Sequence, residues 1–170
     1  MKIDIRAATP DDVPDLLDMI CQLAAYEKLS QDVEATHERL QKTLFPADGV
    51  PAAECILAHV EGALAGYAAC FTSYSTFLAK PGLYLEDLFV KQEMRKQGIG
   101  RALLLHLARL ASQRGCGRME WTVLDWNRAA IDFYASLGAQ TLPDWRVCRL
   151  TGEALSRFGE PDQPQTAAAP

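Results

Sequence analysis

At 170 residues and 49% hydrophobic composition, the chain has the size of one ordinary domain and enough apolar side chain to build a sizeable core. No apolar stretch approaches the roughly 18 residues that a membrane span needs, and the first six residues carry charge where a signal peptide needs an apolar run. A soluble, cytoplasmic protein with no membrane partner is expected. The net charge of -5 argues against a general nucleic-acid binder, which needs a basic face for phosphates, and is compatible with a cationic substrate.

The five cysteines (Cys21, Cys55, Cys70, Cys116, Cys148) form no C-x-x-C pair, and their odd number argues against a disulfide framework. His37, His59 and His106 lie far apart without metal-ligand spacing, so no metal is expected.

In chain order, Lys2 to Ala7 reads as a first strand. Thr9-Pro10-Asp11-Asp12 then combines an N-cap residue, an early proline and first-turn acids, which starts a helix. Val13, Leu16, Leu17, Ile20, Leu23 and Ala24 recur at helical spacing and give that helix a buried face through about Ala25. A shorter helix is expected from Thr36 to Leu44. Glu54 to Val60 and Leu64 to Thr72 read as an antiparallel hairpin turned at Glu61-Gly62.

After a loop around Pro81-Gly82, Leu83 to Val90 reads as a third long strand, and Ile99 to Arg114 as a helix with Ile99, Leu103, Leu107, Leu110 and Ala111 on one face. Gly115 to Gly117 ends that helix. Further expectations are a strand over Arg118 to Leu124, a helix over Asn127 to Leu137 closed by Gly138, and a last strand around Trp145 to Leu150. Residues 1–159 are expected to form one domain, and the proline-, glutamine- and alanine-rich residues 160–170 a disordered tail.

The most informative segment runs from Leu88 through Phe89 and Val90 to Arg95-Lys96-Gln97-Gly98-Ile99-Gly100-Arg101, where a buried strand passes through a two-glycine turn into an amphipathic helix. Such a turn aims backbone N–H groups into one space at the positive end of a helix dipole, which suits a pyrophosphate. Arg95, Lys96 and Arg101 add positive charge. The P-loop reading fails because no lysine and Ser/Thr follow the second glycine, and the dinucleotide reading fails because no third glycine follows.

Here the chain resembles the GNAT acetyltransferase superfamily, whose acetyl-CoA signature Arg/Gln-x-x-Gly-x-Gly/Ala is matched by Arg95, Gly98 and Gly100. The block Asn127-Arg128-Ala129-Ala130-Ile131-Asp132-Phe133-Tyr134, with Gly138 following, matches that family's N-x-x-A-x-x-F-Y-x-x-x-G pattern. Leu23-Ala24-Ala25-Tyr26-Glu27, Tyr84 to Val90, Trp126-Asn127 and Trp145-Arg146 are similar to blocks of its diamine (spermidine/spermine) acetyltransferase branch.

The resemblance implies an α/β (α+β) fold: a mixed, mostly antiparallel central sheet with helices on both faces. It implies acetyl-CoA as cosubstrate, held by Leu88, Phe89 and Val90 along the strand, by Lys96 to Arg101 at the turn, and by Asn127, Arg128, Ala129 and Ala130. It also implies a homodimer, Tyr134 as general acid and Glu86 as general base acting through water. Tyr26, Glu27, Glu86, Asp87 and Trp145 are carried over as substrate-pocket candidates.

The residues add their own argument for the acids. Glu86 and Asp87 are adjacent in an apolar strand, so they point to opposite faces, and at least one carboxylate is directed toward a covered face, where an unpaired charge is costly. An edge-strand acid or an ion pair is the plainer alternative, as a core aromatic is for Tyr134. The chain also departs from the polyamine enzymes. Its segment from Tyr74 to Gly82 is longer than theirs and lacks their acid and tryptophan, and Ser136-Leu137 stand where they carry paired arginines.

A long polyamine needs several anionic contacts, so a compact diamine or lysine-like primary amine fits better. Acetylation of a protein or peptide amine, and a catalytically silent acetyl-CoA-binding module, stay open beside it.

Overall fold

The computed structural model describes residues 2–159, so the expected tail over 160–170 lies outside the described residues. The chain divides after Thr122 into two compact units.

The first unit is built on one sheet in the order β1-β2-β3-β4-β5: Ile3–Ala7, Glu54–Val60, Ala63–Ser75, Lys80–Val90 and Met119–Glu120. All neighbours run antiparallel except β4 and β5, which are parallel. The turn between β2 and β3 falls at Glu61 and Gly62, both with positive φ (51° and 84°), the backbone of a two-residue hairpin.

Three helices serve this sheet: α1 (Val13–Glu27), α2 (His37–Leu44) and α3 (Ile99–Gln113). The start signal before α1 works as read. Pro10–Asp12 form a 3-10 turn, Thr9 donates to Asp12 Oδ2 through its backbone N–H (2.7 Å) and hydroxyl (2.8 Å), and Arg6 clasps both oxygens of Asp12 at 2.7 and 2.6 Å. Those contacts hold the Asp12 carboxyl well below the ordinary carboxylate range, the Arg6 hydrogen bonds first among them.

The sheet is covered on both sides. Leu16 and Met19 of α1 pack with Cys55, Leu57, Tyr67, Ala69 and Phe89. The alternate residues Ile56, Ala58, Ala68, Cys70 and Leu85 are buried as well and belong to the opposite face. There α3 lies across β1 to β4, burying Ile99, Leu103, Leu104, Leu107 and Ala111. Each large aliphatic side chain fully buried in these layers contributes about 1.5–3 kcal/mol. Arg114, just beyond α3, pairs with both oxygens of Glu54 at 2.6 and 2.7 Å and ties that helix to the start of β2.

Several expectations are corrected. The loop around Pro81-Gly82 is strand: β3 and β4 extend to Ser75 and Lys80, with Tyr74 opposite Pro81 and Ser73 opposite Gly82. Pro81 takes part through its carbonyl, which accepts from the Gly117 N–H at 2.8 Å. The strand expected over Arg118 to Leu124 is only Met119–Glu120, and Trp145 to Leu150 forms no strand.

The second unit contains α4 (Arg128–Ser136) and a short helix, α5 (Gly152–Ser156), that the sequence pattern did not signal. Asn127 caps α4 by accepting from the Ala130 N–H at 3.2 Å, and Gly138 closes it with φ 88°.

Candidate active site

The first unit gathers most of the predicted site on β4, α1 and the start of α3. The decisive local feature is a β-bulge. Ala69 stands opposite Asp87 and Cys70 opposite Leu85, so Glu86 falls between them as the extra residue. Strict alternation puts Leu85 and Asp87 on one face. The extra residue separates them: Leu85 is buried opposite Cys70, whereas Asp87 sits on the α1 side and Glu86 is exposed. Of the two adjacent acids, the covered one is therefore Asp87.

Asp87 accepts a hydrogen bond of 2.9 Å on its Oδ2 from the hydroxyl of Tyr67, a residue with no solvent exposure. Glu27, at the end of α1, belongs to the same electrostatic cluster. Burial and then the Asp87 charge raise its carboxyl above the ordinary range, and burial raises Asp87 against the opposing Tyr67 hydrogen bond. Burial, with Asp87 next, also pushes the Cys55 thiol up to about 12 and raises the Tyr67 phenol. Four acidic groups from α1, β2, β3 and β4 thus share one half-buried region, an arrangement that favours a cation over further negative charge.

At the end of β4 the chain passes through a 3-10 turn, Gln92–Met94, into the glycine turn. Gly98 caps α3 at φ 83°, in the left-handed region, and nothing lies within 4 Å of where its Cβ would stand. A Cβ on Gly100 would meet only Val90 Cγ2, at 3.7 Å. Lys96, Gln97 and Arg101 are exposed around this opening, while Ile99 is buried and anchors the helix start. Backbone N–H groups of the first helical turn have no intrahelical carbonyl. With two bare glycines, two nearby cations and a helix dipole, the turn fits a pyrophosphate.

Arg95 takes a different position from its charged neighbours. Its Nε donates to the Val90 carbonyl at 3.1 Å, and its guanidinium lies over the rings of Tyr26 (4.3 Å) and Phe89 (5.7 Å). Together with Gln22, Gln92 and Glu93 these residues line a surface cleft of about 360 Å³. Arg95 thus connects the end of β4 to the end of α1, which the sequence pattern alone did not disclose.

Phe89 points to the α1 core, and Val90, opposite Gly66, points to the α3 side. A Cβ on Gly66 would come within 2.7 Å of the Phe89 carbonyl, so a glycine lets β3 and β4 close at this point. Tyr67 and Gly66 are the site residues that sequence reasoning missed. A tyrosine inside an apolar strand was the available signal, because a buried phenol seeks a hydrogen-bond partner.

The second unit carries Asn127, Arg128, Ala129, Ala130, Tyr134 and Trp145. Tyr134 is half-buried on α4, its ring tilted against Phe133 at 5.3 Å. Asn127 is engaged in capping the same helix, and Trp145 is 78% exposed on an irregular segment. Among the described residues no group of three or more His, Cys, Asp or Glu side chains is placed to hold a metal ion. No helix among them is long and apolar enough to cross a membrane.

Comparison with known proteins bears on this arrangement. A family model described as the acetyltransferase (GNAT) family matches residues 18–139. The thialysine N-epsilon-acetyltransferase of Bos taurus is 38% identical over 165 residues, covering 89% of this chain and 94% of its own. The L-ornithine N5-acetyltransferase NATA1 of Arabidopsis thaliana is 34% identical over 194 residues, covering 89% of this chain and 85% of its own. Among solved structures, the integron cassette protein VCH_CASS6 from V. cholerae superposes with a TM-score of 0.77 at 26% identity, covering 95% of this chain and 99% of its own.

Proposed function

The chain belongs to the acetyltransferase (GNAT) family and is an acetyl-CoA-dependent enzyme, and we propose that its acceptor is the primary amine of a compact small molecule, a short diamine or a lysine-like amine. The observation that carries this reading is the distribution of charge along β4. Half-buried Asp87 and Glu27 form an anionic region, and three residues on from Asp87 the strand ends and leads into the cationic glycine turn. Three strand residues span about 10 Å, so acid cluster and turn lie near opposite ends of one short track. The names of the thialysine and ornithine acetyltransferases support an amino-acid-like amine for this chain as well.

In this reading Leu88, Phe89 and Val90 align the pantetheine arm, and Lys96, Gln97, Gly98, Ile99, Gly100 and Arg101 hold the pyrophosphate. Asn127 to Ala130 complete the cofactor site. Acetyl-CoA supplies the thioester. The amine nitrogen forms the new amide bond as the carbon–sulfur bond breaks, and two protons must move. Glu86, exposed at the bulge, accepts the ammonium proton through water. Tyr134 donates its phenolic proton to the departing sulfur, and the second proton that the nitrogen loses as the amide forms restores the phenol. Asp87, Glu27 and Tyr26 orient the cationic substrate, with Trp145 as a further contact, and the enzyme works as a homodimer of single catalytic domains.

A CoA-release screen across short diamines, spermidine, spermine, ornithine, lysine, thialysine and aminoglycosides tests the assignment. The expected result is a kcat/KM for the best compact amine about tenfold or more above that for spermine. That corresponds to about 1.4 kcal/mol of differential transition-state binding. A preference for spermine in direct competition would overturn the compact-amine assignment, and acetylation confined to peptides would overturn the small-molecule reading.

A further inference from the structure

The buried phenol of Tyr67 has no part in the proton transfers above, yet its geometry is specific. The residue is fully covered, on the α1 face of β3, with its ring tilted against Phe89 at 6.4 Å and its hydroxyl donating to Asp87 Oδ2 at 2.9 Å. Packing alone does not call for a hydroxyl here. Phenylalanine opposite an apolar residue fills the same space, and replacing both partners of a buried hydrogen bond by apolar groups is close to neutral for stability. The hydrogen bond has its use in fixing the carboxylate.

We propose that Tyr67 is a positioning residue of the amine site: its hydroxyl holds Oδ2 of Asp87 and thereby presents Oδ1, beside Glu27, to the substrate ammonium. This rests on the reading of Asp87 as an amine-binding acid. The groups facing Asp87 are Glu27 from α1, Cys55 from β2 and Tyr67 from β3. Arg95 lies over Tyr26, the neighbour of Glu27. The Tyr67 hydrogen bond favours the ionised form of Asp87 against the burial that disfavours it.

The experiment compares wild type, Tyr67→Phe, Asp87→Asn and the double variant, measuring kcat and the amine KM across pH and the acetyl-CoA Kd by calorimetry. Tyr67→Phe is expected to raise the amine KM about tenfold with kcat within about twofold and the acetyl-CoA Kd unchanged. The acid limb of its kcat/KM profile is expected to move up by about one pH unit, because Asp87 loses the donor that favours its ionised form. In the Asp87→Asn background, Tyr67→Phe should change KM by less than about twofold.

A pH profile coincident with wild type, or a Tyr67→Phe effect undiminished in the Asp87→Asn background, overturns the role of Tyr67. Should Tyr67→Phe fail to fold, Asp87→Asn with Tyr67 in place must remove the acid limb, and a limb that persists overturns the proposal. An unchanged amine KM in Asp87→Asn would instead remove Asp87 from the amine site, a failure of the underlying reading.

Discussion

Gly100 separates cofactor binding from folding more cleanly than any other position in the turn. Its φ lies outside the left-handed region, and a Cβ there meets only Val90 Cγ2 at 3.7 Å, an ordinary contact. A side chain at this position therefore costs the fold little: Gly100→Val should change stability by no more than about 1 kcal/mol, since even a β-branched residue is no worse than glycine within a helix. In the proposed cofactor site, however, the isopropyl group occupies space that the pyrophosphate needs to approach the backbone.

Losing one or two charge-assisted N–H contacts costs about 1.5–3 kcal/mol, or about tenfold to a hundredfold in Kd. Gly98→Ala is the contrasting variant. At φ 83° any L-residue is strained by about 1–2 kcal/mol, so this substitution lowers Tm even though its Cβ meets nothing. Thermal unfolding and calorimetric titration with acetyl-CoA separate the two effects. A folded Gly100→Val variant that binds acetyl-CoA as tightly as wild type would falsify the assignment of this turn to the pyrophosphate.

Tyr134→Phe should leave the acetyl-CoA Kd unchanged and lower kcat by about 10²-fold or more; a fall of less than about threefold makes the residue a packing aromatic. Glu86→Gln should lower turnover at neutral pH and recover at alkaline pH, where the amine is deprotonated without help, so a deficit that is constant across pH argues against the base role. Asp12→Ala removes the N-terminal turn contacts and should destabilise the fold by about 2 kcal/mol at neutral pH. The folded-state pKa of Asp12 is depressed, so its contribution is complete above about pH 4 and is lost as pH falls through that depressed value; the Tm difference between wild type and variant should shrink in strong acid.

Asp87 has the opposite sign. Its folded-state pKa is raised, so its ionised form costs stability as pH rises through it, and Asp87→Asn should raise Tm at neutral pH while weakening amine binding. An unchanged or lower Tm counts against that linkage.

The elements with strong periodicity were legible in the sequence: α1, α3 and the β2–β3 hairpin stand within a few residues of where spacing and turn residues put them. The errors have identifiable causes. Pro81-Gly82 reads as a loop because both residues break strands, yet the Pro81 carbonyl and the close fit of Gly82 against β3 keep the segment extended. Trp145 to Leu150 has several strand-favouring apolar residues, but composition supplies no partner, and the segment forms no strand.

At the candidate site, the strand-to-helix glycine turn was legible because its backbone signal is local. Of the adjacent acids, the alternation told that one faces a covered side but not which, because the bulge at Glu86 shifts every side chain on one side of it by a face, and nothing in Glu86-Asp87 announces an extra residue. Tyr67 stayed hidden for a related reason, since its partner lies 20 residues away on the next strand.

That bulge also explains how one strand can serve two chemistries. Up to Leu85, β4 is an ordinary inner strand, paired on both sides through Leu83 and Tyr84 and buried on the α3 face at Leu83 and Leu85. Beyond Tyr84 no pairing with β5 continues, so among the described residues the stretch from Glu86 to Val90 has its strand pairing with β3, along one edge. The same extra residue that turns Asp87 toward Tyr67 and Glu27 brings Glu86 into the open at the point where this stretch begins. An extended acyl carrier lying along it from the glycine turn would bring its acyl end toward the two acids. The parallel pairing stops after two residues and the bulge follows it, so the stretch proposed to bind the cosubstrate begins where the doubly paired strand ends.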